Sequence, residues 1–321
     1  MSTTHEEREL RLRVHQLTWE SEGVISVHLR APGGGDLPVW QAGAHVDLRL
    51  PGIITRQYSL SGSPTDRTTW RISVLREAAG KGGSQAVHET LRPGDVVEVV
   101  GPRNNFPLVA GADYLFIAGG IGITPMLPMI EAVAASGASW QLLYGGRTRS
   151  SMAFLPELER HGDAVRVQPQ DEVGLLDLGA LLDEPRDGTL VYCCGPEPLL
   201  AAVEERCASW APGSLHLERF KPRAQAPVDP DAESDFEVVL EQSGVTVTVP
   251  AGMSVLEALE DNGIEPLNSC REGICGTCET KVLAGVPDHR DSLLSDEERA
   301  ANDTMMICVG RALCDRLVLD L

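Results

Sequence analysis

Short runs of alternating apolar and polar residues fill the first hundred positions. They recur at residues 10–17, 24–29, 45–50, 70–75 and 96–100. Successive side chains of a strand point to opposite faces, so a period of two predicts strands with one buried face. Gly/Pro turns divide them, as at 31–35 and 92–95, and regularly spaced short strands predict an antiparallel barrel or sandwich. The next hundred residues change character. A short apolar run at 114–118 predicts a buried strand, 119–125 a glycine turn and 126–135 a helix. Further strands are predicted at 140–144 and 190–194. Strands alternating with helices imply a parallel α/β sheet. The tail returns to short strands around one predicted helix, 255–262, a small α+β layout.

Residues 221–235 interrupt this pattern. They carry three prolines, several acids and few apolar residues, a composition that predicts a semi-extended tether. A chain of 321 residues has room for two to three domains, each with its own core. No apolar stretch approaches the ~18 residues of a membrane span. The polar, charged residues 1–13 contain no secretory apolar region. A reducing, cytoplasmic setting is expected, which suits eight cysteines that need not pair.

The net charge of −20 argues against nucleic acid as a partner. Residues 228–321 hold 20 acidic and 6 basic side chains, a local net of −14. An acidic surface gives solubility; it also suits a docking face that steers a basic protein partner.

Four cysteines carry the most specific chemistry. Cys270, Cys275 and Cys278 are followed after 29 residues by Cys308. This C-x4-C-x2-C…C spacing is that of a plant-type 2Fe-2S cluster. Gly273 and Gly276 between the cysteines let the backbone wrap closely and aim N–H groups at sulfur. Structural zinc also takes four cysteines, but such sites usually pair two C-x2-C knuckles, and here only Cys275 and Cys278 form one. Cys207 and Cys314 are expected to be ordinary core thiols.

Two glycine-rich turns suggest phosphate contacts. Gly80-Lys81-Gly82-Gly83-Ser84 opens a predicted helix and offers backbone N–H groups and a hydroxyl to a phosphate. Upstream, after a predicted strand, Arg56-Gln57-Tyr58-Ser59 supplies a cation to neutralise a phosphate, an aromatic ring to lie flat against another ring, and a hydroxyl to hydrogen-bond it. Gly119-Gly120-Ile121-Gly122-Ile123-Thr124-Pro125 follows a predicted strand and starts a helix, which lets a pyrophosphate approach the backbone. It meets only the first half of the G-x-G-x-x-G fingerprint, because position 125 is proline. Taken singly, each turn also reads as an ordinary strand end or strand–helix connection.

Together these motifs resemble the ferredoxin–NADP reductase superfamily, and more closely the phthalate dioxygenase reductase family, over nearly the full chain from about Leu10. The resemblance implies a multidomain protein. Residues 1–108 would form an antiparallel β-barrel flavin domain and 109–222 an α/β parallel-sheet nicotinamide domain. A linker at 223–235 would lead to an α+β (β-grasp) plant-type ferredoxin domain at 236–321. It implies FMN held by Arg56, Tyr58, Ser59, Gly82, Gly83 and Ser84, with Phe220 covering the ring. It also implies NADH at Gly119, Gly120, Gly122 and Thr124, and Cys194 of the Cys194-Gly195-Pro196 turn near the nicotinamide. Ser59, Thr124 and Cys194 are then the residues closest to hydride transfer. Arg147 would touch the adenosine half. Asp171 would bond a ribose hydroxyl and favour NADH, whereas Arg149 leaves NADPH open.

The implied activity is an NAD(P)H-dependent flavin iron–sulfur reductase of a bacterial multicomponent oxygenase. Electrons would run from NADH to FMN to the 2Fe-2S cluster and on to a Rieske-type oxygenase that acts on an aromatic acid, aryl ether or quaternary amine. A haem-thiolate monooxygenase is the alternative partner. A non-enzymatic iron–sulfur redox sensor is the reading from another class. Docking is expected on the acidic ferredoxin domain, with no membrane involved.

Overall fold

A computed structural model describes residues 8–50, 55–78, 80, 82–223 and 233–321. The chain divides into two compact units, Met1–Glu218 and Arg219–Leu321. Among the described residues, no helix is long and apolar enough to cross a membrane.

The first unit begins with six antiparallel strands: β1 (Arg8–Ser21), β2 (Val24–Arg30), β3 (His45–Arg49), β4 (Arg56–Ser59), β5 (Trp70–Leu75) and β6 (Val96–Arg103). Their order is β4-β3-β6-β1-β2-β5. A bridge from Leu60, just past β4, to Ile72 of β5 brings the two edges together, which closes the sheet into a barrel. The inward residues predicted by the period-two pattern, among them Val14, Val27, Leu29, Val46, Ile72 and Val99, are fully buried. Each contributes about 1.5–3 kcal/mol. The Arg56–Ser59 segment is itself a strand. It has no apolar alternation and is held by register, Tyr58 opposite Val46 and Gln57 opposite Asp47, with Gln57 Nε2 donating to Asp47 Oδ1 at 2.9 Å. Helix α1 (Gly83–Glu89) follows β5.

Five parallel strands complete this unit: β7 (Asp113–Gly119), β8 (Ser139–Gly146), β9 (Val165–Pro169), β10 (Thr189–Cys194) and β11 (Leu215–Glu218). The order is β11-β10-β7-β8-β9. The chain starts in the middle at β7, builds outward through β8 and β9, then crosses to the other side for β10 and β11. Strand order therefore reverses between β7 and β10, and a crevice at the C-terminal ends of such a pair is where open α/β sheets bind ligands. Helix α2 (Met126–Ser136) buries Met126, Leu127, Met129, Ile130 and Val133 and stops at Gly137, whose φ of 78° suits glycine.

Barrel and parallel sheet share a core: Val24 and Ala42 pack with Phe106, Met126 and Met129. A Cβ on Gly43 would run into the Phe106 carbonyl and lie 2.9 Å from Met129 Cε, so only glycine permits this approach. Arg71 of β5 lies 5.0 Å over the Phe154 ring. It also pairs with Glu157 of helix α3 (Leu155–Glu159) at 3.0 Å.

The second unit contains β12 (Phe236–Leu240), β13 (Val245–Val249), β14 (Glu279–Ala284), β15 (Pro287–Asp288), β16 (Thr304–Met306), β17 (Arg311–Ala312) and β18 (Arg316–Leu319). Five strands form a mixed sheet, β13-β12-β18-β14-β16, and β15 pairs with β17. Against the sheet packs the helix Val255–Asp261, begun by a Ser254–Glu257 capping box that satisfies otherwise orphaned N–H groups. Its Val255, Leu256, Ala258 and Leu259 join the core of this unit.

Residues 224–232, the bulk of the expected linker, lie outside the described residues. Its two described ends are both fastened to the second unit. The Arg223 N–H donates to Ser292 Oγ at 2.9 Å, and Glu233 pairs with Arg290 at 2.8 Å and Arg311 at 3.2 Å.

Candidate redox sites

Strand β4 and helix α1 meet at the first site. Gly82 precedes the helix at φ 88°, a left-handed conformation that glycine adopts without a steric penalty. A Cβ on Gly83 would lie 2.7 Å from Arg56 Cγ, so the bare backbone at the helix start rests directly on the Arg56 side chain. Arg56 Nη1 donates to the Thr55 carbonyl at 2.9 Å. Its Nη2 is buried with no hydrogen-bond partner among the described residues, and so is Ser59 Oγ. Unpaired buried polar groups cost about 1–3 kcal/mol each unless something satisfies them. A buried cationic nitrogen beside a helix start fits a phosphate, and a buried hydroxyl on the same strand fits the edge of a polar ring. Ser84 Oγ accepts from the Glu77 N–H at 3.1 Å, which leaves its own proton to donate. Burial pushes the Tyr58 hydroxyl up to about 12, so it stays neutral. Lys81 lies outside the described residues.

The second site occupies the β7–β10 crevice. A short helical turn, Gly120–Ile123, follows β7. A Cβ on Gly119 would sit 2.7 Å from Pro196 Cδ, and one on Gly122 would overlap the Cys194 carbonyl. Those two glycines let the β7 and β10 turns touch. Gly120, at φ 56°, instead faces open space, as a residue that admits a pyrophosphate should. Thr124 is buried and donates to the Ile121 carbonyl at 2.9 Å. Arg147 and Asp171 are both exposed at the ends of β8 and β9, and the Asp171 N–H donates to the Arg147 carbonyl at 3.2 Å.

Cys194 is fully buried at the end of β10. Its thiol donates to Glu218 Oε2 across 3.9 Å, and the two residues are register partners on β10 and β11. Burial drives the Cys194 thiol well above its ordinary value, and the Glu218 carboxylate adds to the shift. Burial also pushes Glu218 up to about 8. At neutral pH the pair is therefore mostly an uncharged thiol beside a carboxylic acid. Sequence motifs give Glu218 no role of its own. In Leu-His-Leu-Glu it has the look of a solvent-facing strand residue, and only the pairing of β10 with β11 exposes its partner.

The third site lies in the second unit. Cys270, Cys275, Cys278 and Cys308 are buried thiols, none in a disulfide. The Cys275 thiol and then that of Cys308 pull Cys270 far below the usual thiol range, and Cys308 pulls Cys278 down. Among the described residues, no three Cys, His, Asp or Glu side chains gather closely enough to hold a single metal ion. Four buried thiols suit two irons that each take two thiolates, and the C-x4-C-x2-C…C spacing is the one such a cluster uses. Gly273, at φ 67°, packs against Val309 and Asp291, and a Cβ there would come within 2.8 Å of Val309. Arg271 adopts φ 55°, and its side chain bonds Asn268 at 3.3 Å and pairs with Glu260. Phe220 belongs to this second unit and is 37% exposed. Cys207 is buried as expected, whereas Cys314 is only half-buried, bonded to the Val286 N–H at 3.2 Å.

A bare helix start beside a buried arginine nitrogen, a switch-point crevice and four buried thiols thus lie on one chain. Residues 116–205 match the oxidoreductase NAD-binding domain family and residues 238–313 the 2Fe-2S iron-sulfur cluster binding domain family. The chain is 45% identical over 312 residues to the phenoxybenzoate dioxygenase subunit beta of Ectopseudomonas oleovorans, covering 97% of each. Among solved structures it is similar to phthalate dioxygenase reductase, described as a modular structure for electron transfer from pyridine nucleotides to [2Fe-2S]. That match has a TM-score of 0.71 at 34% identity and covers 98% of both chains. It is also similar to part of an intact type IV self-sufficient cytochrome P450 monooxygenase, with a TM-score of 0.92 at 45% identity. There it covers 98% of this chain and 41% of that one. The chain belongs to the phthalate dioxygenase reductase family, the NAD(P)H-dependent reductases of multicomponent oxygenases, whose cofactors are FMN, NADH and a 2Fe-2S cluster.

Proposed function

We propose that this chain reduces a Rieske-type oxygenase acting on an aromatic acid or aryl ether. In this reading FMN is held by Arg56, Tyr58, Ser59, Gly82, Gly83 and Ser84. NADH lies along Gly119, Gly120, Gly122, Thr124, Arg147 and Asp171, and the cluster on the four cysteines. When bound, the flavin converts a hydride from NADH into single electrons for the cluster. The protein's share is placement. Arg56 and the N–H groups of Gly83 and Ser84 fix the phosphate. Ser59 orients the ring, and Thr124 with Cys194 borders the nicotinamide. The neutral Cys194–Glu218 pair keeps negative charge away from a hydride donor that becomes cationic only as it reacts. The domain limits 1–108, 109–222 and 236–321, with a linker at 223–235, and the placing of Phe220 over the flavin are part of the same proposal, as is a cytoplasmic location.

The observation that carries the reading is the pair of buried groups, Arg56 Nη2 and Ser59 Oγ, that have no hydrogen-bond partner among the described residues and lie beside the bare start of α1. The named partner class draws on the phenoxybenzoate dioxygenase subunit, matched across its length. Docking is proposed on the acidic second unit, near Leu267, which is 80% exposed three residues before Cys270. The exposed Glu265 flanks it. An apolar contact flanked by a carboxylate on an acidic unit suits a partner with a basic rim. The test is reconstitution with candidate oxygenase components, scored by hydroxylated product.

A second reading keeps the reductase and changes the acceptor to a haem-thiolate monooxygenase. It is favoured by the similarity to the self-sufficient cytochrome P450. Reconstitution with both classes of acceptor separates the two.

A further inference from the structure

We propose that Glu172 is a specificity-determining residue that turns the adenosine end of the nucleotide site against NADPH by occupying Arg149. The inference rests on the β7–β10 crevice being the dinucleotide site. In the sheet order β8 lies beside β7 and β9 beyond it, so a dinucleotide that leaves the crevice across β7 reaches the C-terminal ends of β8 and β9.

Four charges converge there: Arg147, Arg149, Asp171 and Glu172. The backbone that presents them is fixed. Gly146 pairs with Pro169 in the β8–β9 ladder, and the Asp171 N–H donates to the Arg147 carbonyl at 3.2 Å. The turn Arg149–Ser151 is closed by a capping box between Thr148 and Ser151. It is tied to the barrel by the Glu22 N–H donating to the Ser150 carbonyl and by Ser150 Oγ donating to Glu22 Oε2, both at 2.9 Å. On this frame Arg149 meets Glu172 in a two-pronged ion pair. Nε donates to Oε1 at 3.0 Å and Nη2 to Oε2 at 2.8 Å.

A guanidinium at the adenosine ribose is the group that accepts a 2′-phosphate. Here its fork is already filled by a carboxylate of matching geometry. To grip the 2′-phosphate Arg149 must release Glu172. The phosphate, with a charge of about −1.5 to −2, would then stand beside the released Glu172 carboxylate as well as Asp171. NADH brings only hydroxyls to the same place, which Asp171 can accept while the ion pair stays closed. Glu172 thus touches Arg149 and not the dinucleotide, and it acts only against the phosphorylated form.

The experiment compares kcat/KM for NADH and NADPH, with ferricyanide as acceptor, in the full chain, in Glu172→Gln, in Arg149→Ala and in the double variant. Glutamine keeps the shape and removes the charge, and both side chains are exposed, so folding is not at stake. An exposed ion pair of this kind is screened by solvent, so the effect of breaking it is expected to be about fivefold at most. Glu172→Gln is expected to raise NADPH turnover about fivefold and to change NADH turnover by less than about twofold, and the gain is expected to vanish in the double variant. Unchanged NADPH turnover in Glu172→Gln, or a gain that survives Arg149→Ala, would overturn the inference and leave the nucleotide site standing. A full chain that oxidises neither dinucleotide would overturn both.

Discussion

The Cys194 thiol faces the Glu218 carboxyl across 3.9 Å, at the C-terminal ends of two adjacent parallel strands. Neither residue has an ordinary proton affinity in that place. Burial raises Glu218 to about 8 from the ordinary carboxyl range near 4.5. The folded chain therefore holds this proton where the unfolded chain releases it, and the associated stability is fully present below about pH 4.5 and is lost as pH rises through about 8. Glu218 is only half-buried, so solvent screening limits the loss to about 1–2 kcal/mol. Urea unfolding from pH 5 to 9 should show this decline, and Glu218→Gln should flatten it. Parallel curves for both proteins would remove Glu218 as the titrating group.

The contact between the two crevice turns gives a second prediction. A methyl on Gly122 overlaps the Cys194 carbonyl, and overpacking of this kind costs about 1–3 kcal/mol. Gly122→Ala should lower the unfolding midpoint and weaken NADH turnover together. Gly120→Ala meets no atom but carries a left-handed φ of 56°, so its stability cost should be near the ~1 kcal/mol of that conformation. Urea titration alongside NADH kinetics distinguishes the two.

At the phosphate cradle, Arg56→Ala removes a buried charge-assisted donor of the kind worth about 1.5–3 kcal/mol. FMN affinity should fall about 10- to 100-fold, read by flavin fluorescence after gel filtration. Ser59→Ala should retain flavin and lose mainly turnover. The opposite ranking would move the phosphate away from Arg56.

Much of this was legible because the informative signals are local. The alternating strands of the first hundred residues each lie within a short stretch, and each forms where the pattern predicts it. Strand β4 was not legible as a strand, because Arg56, Gln57, Tyr58 and Ser59 lack apolar alternation and owe their conformation to pairing with β3. Glu218 and Glu172 escaped notice for a related reason. Each acquires its role from a residue more than twenty positions away, Cys194 or Arg149, and the parallel sheet creates that neighbour. Cys314 was expected in the core but is only half-buried, packed against it with its sulfur accepting from the Val286 N–H, a position that thiol composition does not reveal.

If the second unit docks through its acidic surface, the rate of acceptor reduction should fall steeply between about 50 and 500 mM salt, as screening shortens the Debye length. Ferricyanide reduction by the same protein should change far less. Equal salt dependence for both acceptors would count against electrostatic docking.

The central claim is that electrons enter as hydride at the first unit and leave singly through the four-thiol loop of the second. Cys308→Ser tests it most directly, with NADH-driven cytochrome c and ferricyanide reduction measured on the same preparation. The account predicts loss of cytochrome c reduction and of the cluster's visible absorbance, with ferricyanide reduction and bound flavin retained. Cytochrome c reduction that persists without Cys308, or loss of both activities together with the flavin, would contradict it.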